Sequence, residues 1–181
     1  DVPIIQRDNF DIIGYNTDKD GKTNDNNIDM NTHQIKIDKS NTGSKYYAIS
    51  KRKVDVTYDK NGATSLSKNS DSCTIWNSAI SCSLTSPNIV RDGFILHGYS
   101  TDKDATGESS NLIPNNDKYE VSEDMKYYAI TSKTINDTFF INGALGLTDM
   151  LGKVVNNDVD RSCTIYNREN KCSITTPSIV A

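Results

Sequence analysis

Apolar residues along this chain alternate with polar ones in short runs. Phe10, Ile12 and Gly14 fall on one face of a period-two pattern, and Phe94, Leu96 and Gly98 repeat it. Val54, Val56 and Tyr58 alternate with Asp55 and Thr57, which predicts a strand with one buried face, ending in the turn Asp59-Lys-Asn-Gly62. The aromatic runs Tyr46-Tyr-Ala-Ile49 and Tyr127-Tyr-Ala-Ile130 favour strand as well. Between these lie polar segments, 21–42 and 105–124, read as loops with a short strand or one helical turn, the strands at Ile35-Lys-Ile-Asp38 and Lys118-Tyr-Glu-Val121. No stretch has the length and period of an amphipathic helix. The expected fold is mostly β, built from small modules.

The runs recur. Ser72–Val90 (SCTIWNSAISCSLTSPNIV) returns 90 residues later as Ser162–Val180 (SCTIYNRENKCSITTPSIV). Pro3–Asp20 aligns with Pro87–Asp104 at an offset of 84, with 11 of 18 positions identical, and Lys45–Ser50 with Lys126–Thr131 at 81. A fixed internal period signals tandem repetition of one supersecondary unit. The offset grows from 81 to 90 within Leu145–Asp160, an insertion read as an enlarged loop with a helical turn around 147–151.

Each repeat carries a C-x8-C pair, Cys73 with Cys82 and Cys163 with Cys172, inside a strand-turn-strand pattern. One disulfide per module follows, and with it an oxidising compartment. Zinc would need more ligands, and the two histidines, His33 and His97, stand at non-matching positions far from the pairs. Modules of this size have cores that a covalent clip assists. Among 181 residues, 24% are charged and 35% hydrophobic, with nine Tyr, which suits well-solvated β modules rather than disorder. A net charge of −4 without clustered Lys/Arg argues against nucleic acid as a partner. No apolar run reaches membrane-spanning length, and no signal peptide pattern is present, as in a mature or excised segment.

Few residues suggest chemistry. Asn16, Asp18 and Asp20 before Gly21 read as the start of a calcium loop, against an ordinary polar turn. The twelfth position is Asn27 rather than a bidentate Glu, and the second copy has Ala105 in place of the glycine. Ca²⁺ is the single cofactor worth testing. No Cys–His or Ser–His–Asp set, paired acid/base carboxylates or glycine-rich phosphate loop can be assembled, so no catalytic residue is expected. Trp76 and Tyr166 share one hairpin position, and Tyr15 and Tyr99 another. These aromatics are candidates for stacking on a sugar or anchoring a protein, or for packing between modules.

Three motifs in order, the strand ending in Asn-Gly (Val54–Ala63), the Gly-aromatic segment Arg91–Gly107 and the aromatic-Ala strand Met125–Lys133, resemble the Listeria–Bacteroides repeat, close to the internalin B-repeat of bacterial surface proteins. The chain departs from it in carrying Tyr15 and Tyr99 where the family has Trp, and in its cysteine hairpin. The resemblance implies β-grasp-like modules on a bacterial cell surface, with a stalk or adhesion role and no catalysis. In a β-grasp the first and last strands run parallel side by side, so Tyr128–Ile130 would pair with Val54–Tyr58. Tyr46–Ile49 could not, because too few residues intervene for a crossover. The implied division is 53–133 as a complete module, with 1–52 the back half of one repeat and 134–181 the front half of another. Ser50–Lys53 would then be a short linker in a semi-rigid rod. Host glycans or matrix proteins are the expected partners. The alternatives are an adhesin module that binds through the repeated aromatics, and a filament subunit whose half-modules complete one another head to tail.

Overall fold

A computed structural model describes residues 1–180. Among them are fifteen strands and no helix. They are β1 (Asp11–Asn16), β2 (Ile28–Asp29), β3 (Gln34–Ile35), β4 (Tyr47–Asp59), β5 (Ser65–Leu66), β6 (Ser70–Trp76), β7 (Cys82–Thr85), β8 (Ile89–Val90), β9 (Ile95–Ser100), β10 (Lys118–Val121), β11 (Met125–Phe139), β12 (Gly146–Thr148), β13 (Val154–Val155), β14 (Val159–Tyr166) and β15 (Ile179–Val180). The expectation of a mostly β chain holds. The chain forms two compact units. The first takes Asp1–Thr57, Ser70–Thr85 and Lys118–Met125; the second takes Tyr58–Asn69, Ser86–Asp117 and Lys126 onward.

In the first unit β4 is the spine. Its first half pairs antiparallel with β1 and its second half with β6, Lys51 standing opposite both Asp11 and Trp76. Tyr47–Ile49 and Val54–Tyr58 therefore belong to one strand, and Ser50–Lys53, expected to be a linker, is strand interior. Ser50 is buried and Lys51 and Arg52 half-buried. A charged run can sit in a ladder because the ladder is backbone, and long charged side chains lay their stems on the sheet with the heads in water. Val54 and Val56 are buried and Asp55 and Thr57 exposed, as the alternation requires. β7 pairs with β10, and β2 with β3.

The second unit repeats the plan around β11, whose first half pairs with β9 and second half with β14. The registers match the sequence repeat. Gly14 faces Ile49 and Tyr15 faces Ala48; Gly98 faces Ile130 and Tyr99 faces Ala129. Both ladders slip at the same place, beside the glycine, where φ is +139° at Gly14 and +116° at Gly98. A Cβ on Gly98 would come within 2.1 Å of the Ile113 carbonyl oxygen, so the bulge and the close backbone approach both select glycine. The insertion expected to hold a helical turn forms instead a small hairpin, β12 with β13, turning at 149–152 through Gly152 at φ +77°. β15 pairs on the other edge of β12.

Candidate functional site

Both predicted disulfides form, with S–S distances of 2.02 Å for Cys73–Cys82 and 1.98 Å for Cys163–Cys172. They fit an oxidising compartment. Each closes the turn after β6 or β14, a strand that ends on an aromatic followed by asparagine.

That asparagine is the centre of a polar clamp built once in each unit. Asn77 takes φ +50° and Asn167 +45°, a left-handed conformation that asparagine tolerates. In the second unit Asn167 Oδ1 accepts the Thr131 amide (3.0 Å), and its Nδ2 donates to the carbonyls of Lys103 (3.2 Å) and Ala105 (2.9 Å). In the first unit Asn77 Oδ1 accepts the Ser50 amide (3.3 Å), and Nδ2 donates to the carbonyls of Lys19 (3.0 Å) and Gly21 (3.1 Å). An arginine locks the other side of the turn. Arg7 donates to Ser50 Oγ (3.0 Å), the Asn77 carbonyl and the Ala79 carbonyl (3.3 Å); Arg91 donates to Thr131 Oγ1 (2.6 Å) and the Asn167 and Glu169 carbonyls. Each guanidinium lies flat on a phenylalanine, 3.4 Å from Phe10 and 3.6 Å from Phe94. Burial lowers the Arg91 pKa from its ordinary value, and the hydrogen bonds and ring face hold the charge in place of water. The clamp ties the disulfide-closed turn to β4 or β11 and to the loop after β1 or β9. Sequence reading missed it. Its signal was the identity of Arg7 with Arg91, and of Asn77 with Asn167, the latter between neighbours that differ in the two copies.

The proposed calcium residues form nested turns. Asn16 Oδ1 accepts the Asp18 amide (2.8 Å), Asp18 Oδ1 accepts the Asp20 amide (3.0 Å), and Asn16 Nδ2 donates to Thr23 O (2.9 Å). Asp20 pairs with Lys19 at 2.7 Å, a hydrogen bond that raises the lysine's pKa. The oxygens that would ligate a cation thus face backbone amides or a lysine, the geometry of Asx turns. Asp102 and Asp104 repeat it, with Asp104 also 2.8 Å from Arg168. Among the described residues no three His, Cys, Asp or Glu side chains gather as metal ligands.

The aromatics divide. Tyr99 is fully buried; its hydroxyl donates to Pro87 O (3.1 Å), and its ring meets Tyr58 edge-on at 5.4 Å. It is a core residue, which corrects its reading as a binding residue. Tyr15 is half-buried and makes the same bond to Pro3 O (2.8 Å). Trp76 is half-buried with Lys22 Nζ 5.5 Å from its ring centre. Tyr166 is 37% exposed and lines a cavity of about 250 Å³ with Asp104, Thr106, Arg168 and Glu169. Tyr15 and Trp76 belong to the first unit, Tyr99 and Tyr166 to the second. His97 is half-buried, with Nε2 2.8 Å from Ser132 Oγ.

No family model, curated protein or solved structure matches this chain.

Proposed function

We propose that the chain is a non-enzymatic tandem-repeat region of a bacterial extracellular surface protein, serving as a semi-rigid stalk or adhesion array of the Listeria–Bacteroides kind. The observation that carries this reading is the clamp built twice. Arg7, Ser50 and Asn77 recur as Arg91, Thr131 and Asn167 with the same hydrogen bonds, each beside a disulfide-closed turn. The most conspicuous polar clusters thereby bind backbone to backbone, which suits a load-bearing module whose integrity must persist outside the cell. The test is single-molecule stretching of the chain, oxidised and reduced. Two equivalent unfolding events, each lengthened on reduction by the released hairpin loop, are expected. A chain that extends without force peaks would overturn the stalk reading.

Tyr166 favours a second reading, an adhesin module. An aromatic face beside Asp104 and Arg168 is a common arrangement for stacking and hydrogen-bonding a sugar. A panel of glycans, mucin and matrix proteins, with and without Ca²⁺, tests it. Saturable binding that Tyr166→Ala abolishes, with the melting temperature unchanged, would establish this reading; silence across the panel would remove it.

A further inference from the structure

Positions equivalent in the sequence repeat are sealed in one place and bare in another. Within the second unit Tyr58 packs on Tyr99, and Asn61 Nδ2 donates to the carbonyls of Lys103 (2.7 Å) and Ala129 (3.1 Å). Asn61, Ala63, Pro87 and Ile89 are all buried, Ile89 to 1% exposure. Gly62 lies so close that an added Cβ would stand 2.6 Å from Arg168 Cα. Their counterparts are Asn142, Ala144, Pro177, Ile179 and Gly143. Asn142 is exposed, Ile179 is 74% exposed, and a Cβ on Gly143 would meet nothing within 4 Å. Phe139, Phe140, Leu147, Pro177 and Ile179 line an apolar groove of about 530 Å³ where the first copy has a filled joint.

The surface that fills the internal joint has its own counterpart. Tyr99 and Ala129 stand opposite each other in the ladder, so both point to the covered face, and both are fully buried. Tyr15 and Ala48 hold the same register, yet Tyr15 is half-exposed and Ala48 exposed. The Lys103 carbonyl accepts from both Asn167 and Asn61; the Lys19 carbonyl accepts from Asn77, the counterpart of Asn167. A second grip follows the same logic in the first unit, where β10 pairs with β7. The counterpart of β7, residues 172–175, lies outside any strand, and the counterpart of β10, residues 34–37, carries an exposed Ile37.

We propose that the groove at Phe139–Leu147 and Pro177–Ile179 is a socket for a second copy of this chain, which enters with its Tyr15–Ala48 face and its 34–37 segment. Phe139 takes the ring of Tyr15, and Asn142 donates to the carbonyls of Lys19 and Ala48. The 34–37 segment adds a strand to residues 172–175. Face and socket are different surfaces, so association is heterologous, head to tail. The inference rests on the repeat reading above and is independent of cell-surface location.

Sedimentation of the full chain at rising concentration tests it. The average mass is expected to climb past the dimer. Gly143→Asn puts a side chain into space that is open in the free chain, at a φ that Asn tolerates, but where the filled joint has backbone. Ala48→Arg does the same on the opposite face. Each should weaken association by more than about tenfold, with the melting temperature unchanged in Ala48→Arg and slightly lowered by the left-handed φ in Gly143→Asn. Phe140→Asp, at an exposed position, serves if Gly143→Asn folds poorly. Mixing the socket variant with the face variant should stop at dimers, because each keeps the surface the other lacks. A chain monomeric at all concentrations, association indifferent to both variants, or a mixture that forms no dimer would overturn the proposal. The repeat reading is tested separately by Ile89→Asp, which should lower the melting temperature of the monomer. If it does while no association occurs, the repeat stands and the socket falls.

Discussion

Asn77 and Asn167 carry more of the structure than their polarity suggests. Asn167 is buried, and its amide satisfies the Thr131 N–H and two carbonyls. Asn167→Ala strips these partners and places alanine at φ +45°. Stranded buried donors and acceptors cost about 1–3 kcal/mol each, so the loss expected in urea unfolding is about 2–4 kcal/mol. Arg91→Lys is expected to cost stability too, since an ammonium cannot reproduce the planar fork over Phe94. Tyr99 gives a pH signature. Burial, reinforced by Tyr58 nearby, raises its pKa well above the ordinary 10.0, so folding favours the neutral phenol. That contribution is whole below about pH 10, the unfolded value, and is lost as pH rises beyond it. Melting temperature should therefore fall across the alkaline range, and less steeply in Tyr99→Phe. The flattening will be partial because burial also raises Tyr127.

Among the elements, the strands were legible and their joints less so. Val54, Val56 and Tyr58 announced a strand because alternation is a local property of the pleat. That Tyr47–Ile49 belongs to the same strand was hidden by Ser50–Lys53, since the ladder that carries those residues is made by β1 and β6, remote in sequence. The helical turn expected near 147–151 yielded to a hairpin because β12 finds edge partners in β13 and β15. The disulfides were readable from spacing alone. Each closes a loop of about ten residues, and reduction should cost about 2.5–3 kcal/mol apiece, seen as a lowered urea midpoint in dithiothreitol. Gly98→Ala should be worse than an ordinary strand substitution. Its Cβ would displace the Ile113 carbonyl that accepts the Tyr99 amide at 2.8 Å, and the amide exchange of Tyr99 and Ile113 would report the loss.

For the whole molecule, equivalence in sequence does not mean equivalence in environment. Ile89→Ala is expected to cost about 2–5 kcal/mol and Ile179→Ala less than about 0.5 kcal/mol, although both close the same motif, because one is 1% exposed and the other 74%. Paired thermal melts of the two variants check this. The sequence by itself determined the β class, the repeat and the cysteine pairing, since period, recurrence and short spacing are written along the chain. Tertiary structure alone decided that Tyr99 is core while Tyr166 is exposed, that Asn16 and Asp18 turn oxygens onto backbone amides and Asp20 onto Lys19, and that Arg7 meets Asn77. The reason is physical: burial and hydrogen-bond partnership depend on which distant segments arrive beside a residue, and a residue's type and near neighbours do not contain that.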